Sequence, residues 1–121
     1  IIIAPSNPLV SIKPILEIPG FKSIIQKNNK KVIAISPLIQ GKAVKGPAIK
    51  MLKQLGFKPN SFSCMQIYKD ICKSFILDRS DRKLEKQFVS LNQKPIFTNT
   101  LMTSLADKKR LAKFIINQPI D

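Results

Sequence analysis

The sequence predicts an α/β fold in which helices flank a parallel sheet. Two observations support this prediction. Three of the four strand-like runs are short and continuously apolar, which is typical of strands that a parallel sheet buries on both faces. Helical patterns separate these runs, and strands that alternate with helices indicate parallel pairing through right-handed crossovers.

The strand-like runs set the order of the sheet along the chain. The chain opens directly on three isoleucines without a Met, so we expect this run to be the last part of a longer strand. Its 121 residues suffice for one small domain, and we interpret residues 1–121 as the carboxyl-terminal part of a larger domain. The four runs are Ile1–Ala4, Lys31–Ser36, Ser74–Asp78 and Pro95–Thr100.

Apolar spacing predicts five helical segments between and after the strands. Pro19 and Pro47 each suit the first position of a helix, and Gly56 is expected to end the second segment. The segments are Gly20–Gln26, Ala48–Leu55, Phe62–Cys72, Arg82–Leu91 and Lys108–Asn117.

Polar residues in front of the later segments predict how these helices begin. Ser104 and Asp107 have the spacing of a capping box before the last segment. The caps expected for the third and fourth segments are Asn60 or Ser61 and Ser80 or Asp81, respectively.

The charge balance suggests an anionic partner. The chain has 21 basic and 7 acidic residues, a net charge of +14. Of the basic residues 18 are Lys and 3 are Arg, spread along the whole chain, whereas specific nucleic-acid binding relies on Arg and stacked aromatic rings. We therefore expect no nucleic-acid partner, and a phosphate-rich small ligand suits the charge better.

Cysteine, histidine and hydropathy narrow the class of protein further. Cys64 and Cys72 are the only cysteines and His is absent, so the usual zinc ligand sets are missing. Both cysteines are expected to be buried free thiols in the reducing cytosol. No apolar run approaches the ~20 residues of a membrane helix, so we expect a cytoplasmic protein without a membrane partner.

Ligand-binding residues are expected where the strands end, because parallel sheets bind ligands outside the carboxyl ends of their strands. The first exit contains Pro-Ser-Asn-Pro, whose prolines fix the backbone around Ser6 and Asn7, and Ser11 follows nearby. These polar groups either bind a ligand or satisfy a tight turn, and the residues favour neither alternative. The four exits are Pro5–Lys13, Ser36–Gly46, Arg79–Asp81 and Asn99–Thr103.

The second exit carries glycines and lysines. Gly41 and Gly46 bracket Lys42 and Lys45, and glycines let backbone N–H groups approach an anion while lysines add charge. The alternative is a flexible loop with solvated lysines, which the residues alone favour. A P-loop is excluded because the GxxxxGK[ST] motif is absent.

Groups for acid–base catalysis are not visible. The chain has no His, and its only glutamates are Glu17 and Glu85. Asp78 closes the third strand with Asp81 beyond it, but one or two carboxylates are weak support for a Mg²⁺ site. We therefore expect this chain to hold phosphates and orient a substrate.

Four segments together resemble the 2-phospho-L-lactate transferase family over nearly the whole chain, in the order of that family's carboxyl-terminal part. The stretches PSNPLVSIKPIL and KGPA are specific when they occur together at this spacing, whereas LDRSD and TLM are weaker alone. The segments are Pro5–Leu16, Ser36–Gly56, Tyr68–Asp81 and Thr98–Ala112.

This resemblance implies a Rossmann-like fold and a transferase that makes a deazaflavin coenzyme. The family moves a 2-phospholactyl group, or in some members a phosphoenolpyruvyl group, from a guanosine diphospho donor to the ribityl hydroxyl of a deazariboflavin. GMP leaves and Mg²⁺ assists. A homodimer is expected, and this chain alone is expected to be incomplete as an enzyme.

By position, the resemblance places Ser6, Asn7 and Ser11 beside the bound ligands and assigns Lys45 and Gly46 to the KGPA segment. It assigns no catalytic residue and no metal ligand within this chain.

Three positions depart from the family pattern. Lys13 stands where relatives usually carry Gly, Gln40 replaces the first Gly of a Gly-Gly pair, and Asn99 sits where Asp is common. The last change removes a charge and argues against a metal role for that position.

Two other functions stay open. A non-enzymatic regulator that binds sugar nucleotides would have a related fold, but its members carry a Gly-Ser-Leu-Tyr type turn in place of Ser-Asn-Pro. A basic module for nucleic acids would show binding that falls steeply with salt.

Overall fold

A four-stranded parallel sheet forms the centre of the protein. The computed structural model describes residues 1–44 and 46–119. The strands of the sheet, in spatial order, are β1 (Ile2–Ile3), β2 (Ile33–Ile35), β5 (Ser74–Asp78) and β6 (Lys94–Thr98). The predicted α/β class with a parallel sheet and flanking helices is confirmed, and the arrangement is Rossmann-like.

The central strand β5 fixes the register of its neighbours. It pairs with β2 on one side and with β6 on the other, so that Ile76 lies opposite both Ile35 and Ile96. The last pair of the sheet is Asp78 with Thr98. Because all pairs are parallel, the chain leaves every strand at the same edge.

Among the described residues, six α-helices connect and cover the strands, and a hairpin follows β2. The helices are α1 (Lys13–Leu16), α2 (Phe21–Lys27), α3 (Ala48–Gln54), α4 (Ser61–Gln66), α5 (Glu85–Val89) and α6 (Leu105–Ile116). The hairpin pairs β3 (Leu38–Ile39) with β4 (Lys42–Ala43) in antiparallel order.

Two strand exits are more ordered than the sequence suggested. The exit Pro5–Lys13 was expected to be a loop, but Pro8–Ile12 forms a wide helical turn that leads into α1. The exit Ser36–Gly46, for which a flexible loop was favoured, contains the β3–β4 hairpin. Both exits therefore hold their backbone through hydrogen bonds of their own.

Several predicted helix starts or ends are wrong. Pro19 is not the first residue of a helix, because Gly20 adopts a φ of +79° and α2 begins at Phe21. The segment Phe62–Cys72 is helical only to Gln66 and continues through tight turns. The cap of the segment after β5 is Asp78, and neither Ser80 nor Asp81, because its carboxylate accepts the Ser80 N–H.

Other helix boundaries follow the predicted chemistry. Ser104 and Asp107 form the predicted capping box, although α6 begins at Leu105 rather than Lys108. Asn60 caps α4 by accepting the Ser63 N–H at 2.8 Å. Gly56 follows α3 at a φ of +77°, and the Phe57 N–H returns to the Leu52 carbonyl as in a Schellman motif.

The core has two parts because successive strand residues point to opposite faces of the sheet. On one face, Ile33, Ile35 and Ile76 pack against Leu111 and Ile115 of α6. On the other face, a larger cluster joins the sheet to α3, α4 and α5. Its members include Val32, Ala34, Leu52, Met65, Phe75, Leu77 and Phe88.

Cys64 and Cys72 are buried free thiols in this larger cluster, as predicted. Burial raises the pKa of each thiol to about 12, so both stay protonated at neutral pH. The Cys72 thiol lies 3.3 Å from the Val32 carbonyl and 3.1 Å from the Ser74 carbonyl, to which it can donate. Both cysteines therefore have a structural role and not a reactive one.

The edge formed by β1 carries apolar side chains. Ile2 is 54% exposed although it pairs with Ile33 in the sheet. An open edge of this kind suits a sheet that continues in a larger domain, which stays a prediction. Within the described ranges, no helix has the length and apolar character needed to cross a membrane.

Gly41 is expected to be the most sensitive glycine of the fold. It has a φ of +72°, and an added Cβ would lie 2.7 Å from the Pro59 carbonyl oxygen. Gly20 has a φ of +79° with nothing within 4 Å of an added Cβ, so it is a matched control for backbone strain alone. In urea unfolding of the full-length protein, Gly41→Ala should cost about 2–4 kcal/mol and Gly20→Ala about 1–2 kcal/mol. Equal losses would show that the contact with Pro59 is unimportant.

Candidate functional site

Three of the four predicted strand exits meet in one cavity of about 430 Å³ at the carboxyl edge of the sheet, and the exit Arg79–Asp81 does not line it. Its walls come from the turn after β1, the hairpin after β2, the start of α3 and the segment between β6 and α6. The polar lining residues are Ser6, Asn7, Ser11, Ser36, Thr100 and Lys108, and the larger apolar ones are Val10, Ile39, Val44 and Met102. The cavity thus offers neutral hydrogen-bonding groups, an apolar surface and a cation.

Four of the five predicted ligand-binding residues line this cavity. Ser6, Asn7 and Ser11 come from the first exit, and Gly46 comes from the second. Lys45 lies outside the described residues. The two loops are far apart in sequence, and the parallel order of the sheet brings them together. Their contact with a ligand stays a prediction.

Asn7 serves the turn and faces the cavity at once. It is extended, with φ −62° and ψ 117°, as expected before a proline. Its side-chain oxygen accepts the Leu9 N–H at 3.0 Å and caps the turn Pro8–Ile12. Its Nδ2 lies 3.5 Å from the Met51 sulfur, a weak acceptor. The two alternatives set out for this residue are therefore compatible, and the donor side of the amide is the part left for a ligand.

The hairpin wall of the cavity depends on Gln40 and a buried carboxylate. Gln40 and Gly41 both have positive φ, 51° and 72°, which is the type I′ turn that connects two strands tightly. A left-handed conformation costs Gln about 1–2 kcal/mol. The buried Asp81 carboxylate accepts the Gln40 N–H at 3.1 Å and the Ser61 hydroxyl at 2.7 Å, which holds the turn in place.

A second buried carboxylate holds the wall on the other side. One oxygen of Asp78 accepts the N–H and hydroxyl of Ser80, and the other accepts the Thr100 N–H at 3.0 Å and its hydroxyl at 3.3 Å. Burial raises the pKa of Asp78, but these hydrogen bonds lower it by more, so it lies below the usual 3.8. An ionised Asp78 thus fixes Thr100 at the cavity.

The two aspartates do not fit a resident Mg²⁺. The oxygens of Asp78 and Asp81 already accept hydrogen bonds from backbone and hydroxyl groups. In the part of the chain that the structure describes, no group of three acidic, Cys or His side chains converges on one point. The described residues therefore provide structural carboxylates at the rim and no recognisable metal centre.

Arg110 and Asn99 stiffen the segment between β6 and α6. The Arg110 guanidinium donates to the carbonyls of Asn99 at 2.7 Å and Leu101 at 3.2 Å. The Asn99 side chain accepts the Leu101 N–H at 3.1 Å. The Asn that replaces a common Asp is thus used within its own turn, and Thr100 and Met102 beside it reach the cavity.

Lys108 is the polar lining residue that lies outside the predicted strand exits. The predicted last helix starts at Lys108, whereas α6 begins three residues earlier. Lys108 lies three residues before Leu111 and seven before Ile115, in line with the stripe that packs on the sheet, but its own side chain is exposed. A lysine at a stripe position directly after a strand exit is the signal that would have indicated it.

Comparison with known proteins supports the resemblance drawn from the motifs. A family model described as 2-phospho-L-lactate transferase CofD matches residues 1–114. Three curated relatives, each named 2-phospho-L-lactate transferase, match nearly the whole chain. The protein of Methanosarcina barkeri is 38% identical over 96% of this chain, that of Methanocaldococcus jannaschii 40% over 96%, and that of Methanococcoides burtonii 39% over 97%.

The matches cover a minor share of each relative. The chain spans 37%, 36% and 38% of the length of these three proteins, in the same order. The assignment to the carboxyl-terminal part of the family stays a prediction.

The Asp78 interactions predict an acid-sensitive contribution to stability. The pKa of Asp78 is lowered in the folded state, so its stabilisation is present above the unfolded value near 3.8 and is lost as pH falls through the folded value. Asp78→Asn should cost about 1–3 kcal/mol at pH 7, because buried donors lose an acceptor.

The free energy of unfolding of parent and Asp78→Asn, measured at pH 7 and pH 3, checks this expectation. The difference between them should shrink at pH 3, because only the parent loses an ionised group. A difference that stays constant or grows would contradict the assigned role of the carboxylate.

Proposed function

The chain belongs to the 2-phospho-L-lactate transferase CofD family, and from this premise we propose the reaction of the full-length protein. It transfers a 2-phospholactyl or phosphoenolpyruvyl group from a guanosine diphospho donor to the ribityl hydroxyl of a deazariboflavin. The hydroxyl oxygen forms a bond to the phosphorus that carries the lactyl or enolpyruvyl group, the bond from this phosphorus to the GMP oxygen breaks, and the hydroxyl proton is released.

The observation that carries this proposal is the convergence of the two motif-bearing exits on one cavity. Ser6, Asn7 and Ser11 present two hydroxyls and an amide there, opposite Gly46 of the hairpin exit. The apolar lining residues provide a surface for a flat ring, next to polar groups for phosphate and ribityl oxygens. A nucleotide-linked phosphate and an alcohol need this combination.

Each lining residue has a role in binding and orientation. The hydroxyls and the Asn7 amide donate to phosphate oxygens, and such charge-assisted hydrogen bonds are the stronger kind. Gly46 has a φ of +79° and open space where a Cβ would stand, so a ligand can approach its backbone closely. Rigid walls of this sort align nucleophile and leaving group.

The proposal gives this chain no acid–base residue. Its sequence has no His, and the rim carboxylates Asp78 and Asp81 are held by protein donors. Mg²⁺ stays part of the proposal for the full-length protein, since it would neutralise the donor's phosphates. A cytoplasmic homodimer is likewise proposed from the resemblance.

Turnover of defined substrates by the full-length protein tests the proposal. With Mg²⁺, deazariboflavin and either guanosine donor, we expect the phosphorylated deazaflavin product and GMP in equal amounts by mass spectrometry. Absence of product with both donors would reject the transferase. Tight binding of a sugar nucleotide without turnover would instead favour the non-enzymatic regulator.

Asn7 provides a separate test because its two roles involve different atoms. Asn7→Asp keeps the oxygen that caps the turn but replaces the N–H-donating Nδ2 with an oxygen. Stability should therefore change little, while affinity for the guanosine diphospho substrate falls about tenfold or more. Asn7→Ala removes both, and should in addition cost about 1 kcal/mol of stability.

Calorimetric titration of GDP into each variant, together with its melting temperature, measures the two roles. Unchanged affinity in Asn7→Asp would show that Asn7 serves only the turn.

A further inference from the structure

We propose that Lys108 binds the phosphate groups of the guanosine diphospho donor and contributes little to binding of the deazariboflavin acceptor. The inference rests on the proposed function for the identity of the ligand. Its structural basis is a cation on the wall of a cavity whose other described lining residues are uncharged.

The position of Lys108 follows from the packing of α6. Leu111 is 2% exposed and Ile115 is 6% exposed, and both pack on Ile33, Ile35 and Ile76 of the sheet. Lys108 lies on the same stripe, one turn closer to the start of the helix. Unlike Leu111 and Ile115, Lys108 is exposed, and it lines the cavity.

Lys108 makes no ion pair within residues 1–44 and 46–119. Its neighbour Asp107 is engaged elsewhere, because one carboxylate oxygen accepts from Thr103 and Ser104 and the other lies 3.5 Å from Arg110. The Asp107 carboxylate, the acidic group nearest to Lys108 in sequence, therefore interacts with residues at the start of α6. The Lys108 ammonium stays available for an anion in the cavity.

The chemistry of the two substrates assigns this cation to the donor. A guanosine diphospho donor brings phosphate oxygens, whereas a deazariboflavin brings a ring and neutral hydroxyls. A Lys ammonium is a point charge that suits phosphate, and it gains more from an anion than from a hydroxyl. Lys108 should thus contribute to donor affinity and little to acceptor affinity.

Lys109 provides the matched control. It is the next residue on the same helix, has the same charge and is exposed, but it does not line the cavity. Lys108→Gln and Lys109→Gln therefore change the net charge equally and differ only in position. Lys108→Arg restores the charge at the cavity.

The experiment is calorimetric titration of GDP, inorganic pyrophosphate and deazariboflavin into the full-length parent and the three variants. We expect Lys108→Gln to weaken GDP and pyrophosphate about tenfold or more, with deazariboflavin affinity unchanged. Lys109→Gln should match the parent, and Lys108→Arg should recover most of the affinity. Melting temperatures within a few degrees of the parent would show that the variants are folded.

The remaining outcomes separate this inference from the proposed function. Equal losses in Lys108→Gln and Lys109→Gln, or no loss in either, would overturn the assignment. A parent that binds pyrophosphate through Lys108 but neither GDP nor deazariboflavin would support the phosphate subsite and reject the transferase. A parent that binds neither GDP nor pyrophosphate would overturn the subsite.

Discussion

The exit of the central strand β5 holds the walls of the cavity in place. Two buried carboxylates follow each other there within one turn, and each binds a different neighbour. Asp78 accepts from Thr100 of the segment after β6, and Asp81 accepts from Gln40 of the hairpin after β2. Moving either segment away would leave a buried carboxylate without its hydrogen-bond donors, which costs a large amount of free energy.

This constraint explains how a cavity whose described lining has no carboxylate can still form a defined site. Asp78 and Asp81 are metal-ligand candidates by residue type, but their carboxylates accept hydrogen bonds from backbone N–H groups. What faces the cavity is then a set of hydroxyls, an amide, a glycine and Lys108. Such a site is suited to binding and aligning substrates, and alignment is one way in which a protein accelerates phosphoryl-group transfer.

Local chemistry and parallel topology made much of the fold and site predictable. Alternating strands and helices place all strand exits at one edge of the sheet, so the position of Asn7 and Gly46 at the same cavity follows from the order of the elements. The hairpin was missed because Gln is an unusual first residue of a type I′ turn, and its stabilising partner Asp81 is 41 residues away. Lys108 was missed because it lies beyond the last predicted strand exit, and only the fold shows that the first turn of α6 also lines the cavity.

A crystal structure of the full-length protein with GDP bound tests most directly the claim that the strand exits form one phosphate-binding cavity. We expect GDP phosphate oxygens within hydrogen-bonding distance of the Lys108 ammonium and of the Ser6–Asn7 turn. We also expect Asp78 and Asp81 to keep their hydrogen bonds to Thr100 and Gln40. GDP bound at another surface, with this cavity filled only by water, would contradict the claim.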